Sequence, residues 1–257
     1  MLIGAGNLAT NLGKALAEKG FSVTQVYSRT EQAAKALATQ IHASFTTSLK
    51  EVEKDADLYI VSLSDTAFCE LIGEITAIRK DGLFVHTAGS LPLDKWKGYA
   101  NQYGVFYPLQ TFSKERRVDF SGIPVFLEAS SVQVLNLLEE IARELSEKVF
   151  FIDSDQRKSL HLAAVFVCNF TNHMYTLGEK IVQENNLSFE MLLPLIDETS
   201  RKISTLSPRK AQTGPAVRYD ENIICKHLEL LKDDPASREL YEKISANIHK
   251  YSAASEE

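Results

Sequence analysis

The stretch Met1–Gly13, MLIGAGNLATNLG, decides the fold class of this chain. Gly4, Gly6 and Ala9 form a GxGxxA pattern directly after a short apolar run, and helical periodicity follows at once. In such a pattern the first glycine allows a tight turn and the second lets the backbone approach a phosphate. The third small residue lets the helix pack closely on the strand. The stretch therefore predicts a strand, a glycine turn and a helix in that order.

A dinucleotide pyrophosphate is held by this arrangement, because the helix N-terminus presents free N–H groups to the anion. The alternative is a glycine turn in some other α/β fold. We predict a dinucleotide site, and its binding residues at this turn are Gly4, Gly6, Asn7 and Leu8.

Composition narrows the function classes. The chain has 257 residues, 44% of them hydrophobic, and a formal net charge of −6 without a basic run, so we expect no nucleic-acid partner. The longest apolar run, residues 162–167, is too short to span a bilayer, so we expect no membrane association and a cytoplasmic location. Three scattered cysteines without a CxxC spacing predict neither disulfides nor a metal site. Because residues 1–3 are short for a first strand, the sequence leaves open whether further residues precede Met1.

The first half of the chain alternates apolar β-branched runs with segments of helical periodicity. Strands are predicted at Ser22–Tyr27, Leu58–Leu63, Leu83–His86, Val105–Tyr107, Val125–Leu127 and Val149–Ile152. Helices are predicted at Glu31–Ala38, capped by Thr30, and from Ser130 or Ser131 to Ser146. Such alternation implies βαβ units. We therefore predict an α/β fold, with a doubly wound, mostly parallel Rossmann sheet in residues 1–152.

From residue 153 onward no β-branched run predicts a strand, and helical periodicity dominates. Helices are predicted at Ser159–Asn185, Phe189–Ser204, Asp220–Leu231 and Pro235–Tyr251, with a polar loop at Ser207–Tyr219. The chain therefore divides into a dinucleotide-binding domain, 1–152, and an all-α domain, 153–257, expected to serve substrate binding and dimerisation.

The end of the predicted second strand indicates the choice of cofactor. NAD enzymes place an acidic residue there, whereas NADP enzymes use a basic residue for the 2′-phosphate. Ser28, Arg29 and Thr30 stand there, and the first acid is Glu31. A guanidinium and two hydroxyls suit a phosphate, so we predict binding by these three residues and a preference for NADPH over NADH. The alternative is a solvent-facing arginine before a helix cap.

Two further strand ends carry polar residues, in the sequences SLSDTAF and HTAGS. Ligands of doubly wound sheets bind at the carboxyl ends of strands. We therefore predict that the cofactor also contacts Ser62, Ser64, His86 and Thr87. The alternative is that Ser64 and Asp65 only cap the following helix.

The first long helix of the second half carries His161, Asn169 and His173 at spacings that place them on one face or nearly so. Polar groups among apolar neighbours need partners or a wet cleft. We predict a functional role for these residues, against the alternative of structural histidines. In the following polar loop, Asp220 is explained as an N-cap, whereas Thr213 and Arg218 are not and are candidates for substrate binding.

The chain resembles a family of two-domain oxidoreductases that join a Rossmann-like domain to a C-terminal helical domain. Distant relatives of that family are pyrroline-5-carboxylate reductase and the deazaflavin-dependent NADP reductases. The resemblance covers almost the whole chain and rests on GAGNLATNLG, VSLSD, HTAGS, YPLQTF, HLAAVFVCN and TGPAVRYD followed by His227. The family more often has His where Tyr107 stands and Gly where Tyr219 stands, so no catalytic role is carried over to these two positions.

The resemblance implies NADP binding and a homodimer formed through the helical domain. In the related dehydrogenases the first helix after the Rossmann domain carries the proton donor and a polar residue that orients the substrate. The resemblance implies that His161 and Asn169 hold the comparable positions in this chain. Our hypothesis is an NAD(P)H-dependent oxidoreductase acting on a small carbonyl or imine compound. His161 would be the general acid/base, Asn169 would orient the substrate, and His173, Thr213 and Arg218 would bind it. Two alternatives stay open, a non-catalytic NADP-binding sensor or scaffold and a deazaflavin-dependent NADP reductase.

Overall fold

The structure is a computed structural model, and it describes residues 1–253. The chain forms two compact units, residues 1–168 and the residues from 169 onward, and each is described by itself. None of the helices in the described part of the chain is both long and apolar enough to cross a membrane.

One eight-stranded sheet organises the first unit, in the order β3-β2-β1-β4-β5-β6-β7-β8. All neighbouring pairs are parallel except β6 and β7, which are antiparallel. This order confirms the predicted doubly wound, mostly parallel sheet. The strands are β1 Leu2–Ile3, β2 Gln25–Tyr27, β3 Ser44–Thr46, β4 Leu58–Val61, β5 Leu83–His86, β6 Gln102–Pro108, β7 Val125–Ala129 and β8 Val149–Phe151.

Five α-helices accompany the sheet. They are α1 Asn7–Glu18, α2 Glu31–Gln40, α3 Asp65–Ala77, α4 Val132–Leu145 and α5 Ser154–Ala164. Three of them begin at a side-chain cap: Ser64 accepts from the backbone N of Ala67, Ser131 accepts from that of Val134, and Asp153 forms a capping box with Gln156. Each cap satisfies a backbone donor that the helix itself leaves unpaired.

The core lies on both faces of the sheet, because successive strand residues point to opposite sides. Leu2, Ile60 and Val85 face one apolar cluster, which α1, α2 and α4 cover. Ile3, Tyr59 and Phe84 face the other cluster, which α3 and the buried Trp96 cover. The continuous apolar runs in the sequence reflect this burial on both faces.

Sequence periodicity missed β3, because this strand is short and two of its three residues are exposed. It also predicted only three of the seven residues of β6, which begins with an exposed glutamine and a half-buried tyrosine. The remaining predicted strands overlap the observed ones, and Leu83–His86 has the predicted bounds.

The second unit is helical, as predicted, over the residues that the structure describes. Its α-helices are α6 Thr171–Glu184, α7 Leu193–Lys202, α8 Pro208–Ala211, α9 Glu221–Leu230 and α10 Pro235–Ala253. A π-helical segment, Val165–Phe170, precedes α6, so the predicted single helix at Ser159–Asn185 is observed as three helical segments in succession. The assignment of dinucleotide binding to residues 1–152, and of substrate binding and dimerisation to residues 153–257, stays a prediction.

Candidate functional site

The glycine turn after β1 has the geometry expected for close approach of a phosphate. Gly4 has a φ of 118°, and a Cβ there would lie 2.3 Å from the backbone oxygen of Ser62, so only glycine fits. A Cβ on Gly6 would meet nothing within 4 Å. The space above Gly6 is therefore open, whereas the space beside Gly4 is filled by the sheet.

Helix α1 begins without a side-chain cap at Gly6, and its first turn carries no acidic residue. The backbone N of Thr10 donates to the oxygen of Gly6 at 2.9 Å, which leaves the N–H groups of the preceding turn without a partner inside the helix. Behind them, Gly13 packs so closely that a Cβ would lie 2.7 Å from Leu2. Sequence reasoning gave the close-packing role to the buried Ala9 alone and missed Gly13.

A cleft of about 440 Å³ opens at the carboxyl ends of β1, β4, β5 and β6. Its lining includes the predicted cofactor residues Gly6, Asn7, Leu8, Ser62 and Thr87, together with His161 of α5. The topology explains this grouping, because the strand order reverses at β1 and β4 and ligands bind at such a switch point.

Tyr107 and His161 form a pair in this cleft. The Tyr107 hydroxyl lies 3.0 Å from Nδ1 of His161, and the two rings meet edge to face with centroids 6.1 Å apart. Burial raises the pKa of Tyr107 to about 12, although the charge of Arg157 acts in the opposite direction. Tyr107 therefore keeps its proton at neutral pH and can donate to Nδ1 of a neutral imidazole. The imidazole proton is then on Nε2.

Gly89 makes the position of His161 possible. A Cβ at Gly89 would lie 2.6 Å from both Cγ and Nδ1 of His161 and 2.9 Å from its Cβ. Any other residue at position 89 would occupy the space that the imidazole fills. Sequence reasoning did not foresee that Gly89 leaves room for His161, and it gave Tyr107 no role. The signal for Gly89 was present in HTAGS, and Tyr107 was set aside because it departs from the family pattern.

The other strand-end residues divide into two groups. The Thr87 hydroxyl donates to the Ser62 hydroxyl at 3.0 Å, and Ser90 donates to the Asp65 carboxylate. Both pairs join the segments that follow the neighbouring strands β4 and β5, and all four residues line the cleft. Ser64 instead caps α3 through Ala67. This cap belongs to the alternative that the sequence left open, and a cofactor contact of Ser64 stays a prediction.

The side chain of His86 lies away from the cleft. It is fully buried, stacks on Trp96 with centroids 6.0 Å apart, and accepts at Nδ1 from the backbone N of Ala88 at 3.3 Å. Burial, followed by the charge of Arg157, lowers the pKa of His86 to about 3. The predicted cofactor contact would have to come from the backbone after β5, because the imidazole is packed in the core.

Ser28, Arg29 and Thr30 directly follow β2, whose last residue accepts the Gly4 N–H at 2.8 Å. Arg29 and Thr30 are exposed, and the Thr30 side chain makes no cap bond to α2. The guanidinium and the Thr30 hydroxyl are therefore accessible beside the glycine turn.

The other predicted site residues belong to the second unit. Asn169 and His173 are exposed, and a π-helical segment ends between them, so the α-helical spacing rule does not apply there unchanged. Thr213 lines an apolar cavity of about 440 Å³ within that unit, and Arg218 is exposed. Tyr219 has a φ of 50°, in the left-handed region where the family more often has glycine. The roles of Asn169, His173, Thr213 and Arg218 stay predictions.

Two family profiles match the chain. Residues 1–89 match the F420-dependent NADP oxidoreductases, and residues 123–248 match a domain of unknown function, DUF2520. No curated protein matches.

Three solved structures are similar over nearly the whole chain. A Bacteroides fragilis protein, provisionally described as an NADP oxidoreductase, is 58% identical with a TM-score of 0.95, covering 97% of this chain and 96% of its own. A Thermotoga maritima protein is 22% identical with a TM-score of 0.78, covering 98% of each chain. An imine reductase from Myxococcus stipitatus, in complex with NADP⁺, is 16% identical with a TM-score of 0.69, covering 99% of this chain and 94% of its own. The last two show the fold.

Proposed function

We propose, on the premise that this chain belongs to the family that joins an F420-dependent NADP oxidoreductase domain to a DUF2520 domain, that it reduces a small carbonyl or imine compound with NADPH. The observation that carries the proposal is the Tyr107–His161 pair, which lines the same cleft as the open glycine turn at Gly6. The proposed proton donor and the proposed nucleotide site therefore line the same cleft.

The residues present fit the cofactor. The open space above Gly6 and the uncapped, acid-free first turn of α1 suit a pyrophosphate, and Arg29 with its neighbouring hydroxyls suits a 2′-phosphate. An acidic residue at the end of β2 would have favoured NADH instead. When bound, NADPH supplies the hydride for the reduction.

His161 would supply the proton. In its doubly protonated form the imidazole would give its Nε2 proton to a substrate oxygen or nitrogen and be left neutral, with its Nδ1–H donating to the Tyr107 hydroxyl 3.0 Å away. Gly89 leaves the space that the same ring fills, since a Cβ there would lie 2.6 Å from it. The polar pair Ser62 and Thr87 lines the cleft beside it and offers hydrogen bonds to a ligand.

The substrate class is supported by chemistry and by the likeness of fold. A histidine that gives up one proton and is left as a neutral imidazole suits reduction of C=O or C=N, where the heteroatom gains a proton as the carbon gains a hydride. The similarity to the Myxococcus imine reductase supports including imines in the substrate class.

We also propose a homodimer formed through the helical half. Among the described residues after 168, the buried apolar side chains are only Ala216 and Ile224. Large apolar side chains of the same unit are exposed, including Met191, Leu195, Ile203 and Leu230. An exposed apolar surface of this extent is typical of an interface.

The test follows NADPH absorbance against a panel of keto acids, aldehydes and imines. We expect oxidation with at least one compound, and His161→Ala should lower kcat by about 10²–10⁴-fold with little change in NADPH affinity. His42→Asn, at an exposed histidine outside the cleft, is the matched control and should retain wild-type activity.

Three outcomes separate the functions. Turnover that depends on His161 supports the proposal. NADPH binding without oxidation across the panel would identify a sensor or scaffold instead. Turnover that requires an added deazaflavin would identify a deazaflavin-dependent NADP reductase.

A further inference from the structure

We propose that Arg157 is a positioning residue that fixes His161 between Gly89 and Tyr107. The inference rests on the proposed role of His161 as proton donor. Arg157 lies in α5, four residues before His161, so the two side chains emerge one helical turn apart on the same side of the helix.

Arg157 is a charged side chain buried inside the first unit. It is 0% exposed, and its guanidinium forms an ion pair with Glu128 of β7. A second guanidinium nitrogen donates to the backbone oxygen of Leu91. One planar group therefore joins α5 to β7 and to the segment that follows Gly89.

Ser154 completes the attachment from the first turn of α5. Its hydroxyl donates to the Glu128 carboxylate, with distances of 3.0 and 2.9 Å to the two oxygens, and accepts from the backbone N of Leu93 at 2.8 Å. Two side chains of α5 thus bind the segment after Gly89: Arg157 binds the carbonyl of Leu91, and Ser154 binds the amide of Leu93. The segment cannot slide along the helix without breaking both bonds.

The two contacts of the Arg157 guanidinium, with Leu91 and with Glu128, lie close in sequence to residues that surround His161. Leu91 is two residues after Gly89, where a Cβ would lie 2.6 Å from the imidazole of His161. Glu128 is two residues after Phe126, which pairs directly with Tyr107 in the β6–β7 ladder. The guanidinium therefore connects α5, which carries His161, with β7, which pairs with the strand of Tyr107, and with the segment that follows Gly89. These three elements set the Tyr107–His161 distance. Its charge also opposes the burial-driven rise in the pKa of Tyr107 and adds to the burial-driven fall in that of His86.

Stability alone does not account for this pair. Desolvating two charges costs about as much as their attraction returns, so a buried ion pair is often replaceable by apolar residues without loss. Removing one partner, by contrast, leaves an uncompensated buried charge. This difference lets an experiment separate positioning from folding.

The experiment compares Arg157→Met, the double variant Arg157→Met/Glu128→Leu and the conservative Arg157→Lys. The first readout is the ¹⁵N NMR signal of His161 Nδ1, assigned by its loss in His161→Asn. The second is the dissociation constant of NADPH. Arg143→Met, which breaks an exposed ion pair with Glu139 on α4, is the matched control.

We expect Arg157→Met to lower the thermal midpoint and the double variant to recover most of it. In both variants His161 Nδ1 should move toward the value of a free imidazole, while NADPH affinity stays within about twofold of wild type. Arg157→Lys should restore the signal only in part, because an ammonium lacks the planar fork that reaches both partners. The control should leave the signal unchanged.

A stable double variant with a wild-type His161 signal would overturn the proposal. If both Arg157→Met variants fail to fold, Ser154→Ala decides, because it removes the hydroxyl contacts with Leu93 and Glu128 and keeps the Arg157–Glu128 ion pair. An unchanged signal then overturns the proposal, and a shifted one supports it. The NMR readout needs no turnover. A wild-type protein without NADPH oxidation would therefore contradict the proposed function and leave this test intact.

Discussion

Substitution of Gly89 by alanine tests the geometry of the cleft directly. The new Cβ would lie 2.6 Å from the imidazole, against an ordinary contact of at least 3.4 Å, so the ring or the backbone must retreat by about 0.8 Å. A retreat of that size is enough to lengthen the 3.0 Å bond to Tyr107 beyond hydrogen-bonding range. Overpacking of this kind costs about 2 kcal/mol. The thermal midpoint should fall by about 4–8 °C.

Gly122→Ala is the matched control, because a Cβ there would meet nothing within 4 Å and its φ is not positive. Differential scanning calorimetry gives the midpoints, and NMR of the His161 imidazole reports the Tyr107 bond. We expect loss of that bond and a lower midpoint only in Gly89→Ala. Equal midpoints for the two variants, with the bond intact in both, would refute the reasoning.

Three further predictions concern the cofactor, the assembly and the response to pH. Arg29→Ala should cost about 1.5–3 kcal/mol of NADPH affinity and leave NADH nearly unchanged; equal losses in calorimetric titrations would contradict the 2′-phosphate assignment. Light scattering should give twice 28.7 kDa, and a stable mass of 28.7 kDa at micromolar concentration would contradict the homodimer. Because the folded-state pKa of His86 is about 3 against 6.5 when unfolded, the unfolded chain binds the extra proton between these values. Unfolding free energy should therefore fall as pH falls from 6.5 toward 3, with a smaller fall in His86→Phe, and an NMR titration that protonates His86 near pH 6 would contradict this.

The fold was predictable because local signals agreed with the tertiary structure. The GxGxxA turn, the buried apolar strands and the caps at Ser131 and Asp220 all act over a few residues, so the sequence states them directly. β3 was not predictable in the same way. It is short and mostly exposed, and it is defined by pairing with β2 rather than by its own pattern.

The candidate site was only partly predictable, because it depends on distances between segments far apart in sequence. His161 was found from its position on the helix, but its contact with Gly89 joins residues 72 positions apart in the numbering. His86 was assigned to the cofactor because it ends a strand, yet its side chain faces the sheet side covered by Trp96. Strand alternation decides that direction, and a four-residue run that is apolar on both faces conceals it.

The two glycines of the nucleotide turn have different consequences for how this family can change over time. Gly4 is required by the sheet itself, since any side chain there would strike the backbone of the neighbouring strand whether or not a nucleotide is ever bound. Gly6 meets no such obstacle from the protein. A descendant that abandoned its nucleotide would therefore still be obliged to keep the first glycine, while the second would be released to vary. Substitutions at position 6 among descendants would record loss of the ligand, whereas persistence of glycine at position 4 would record only survival of the fold.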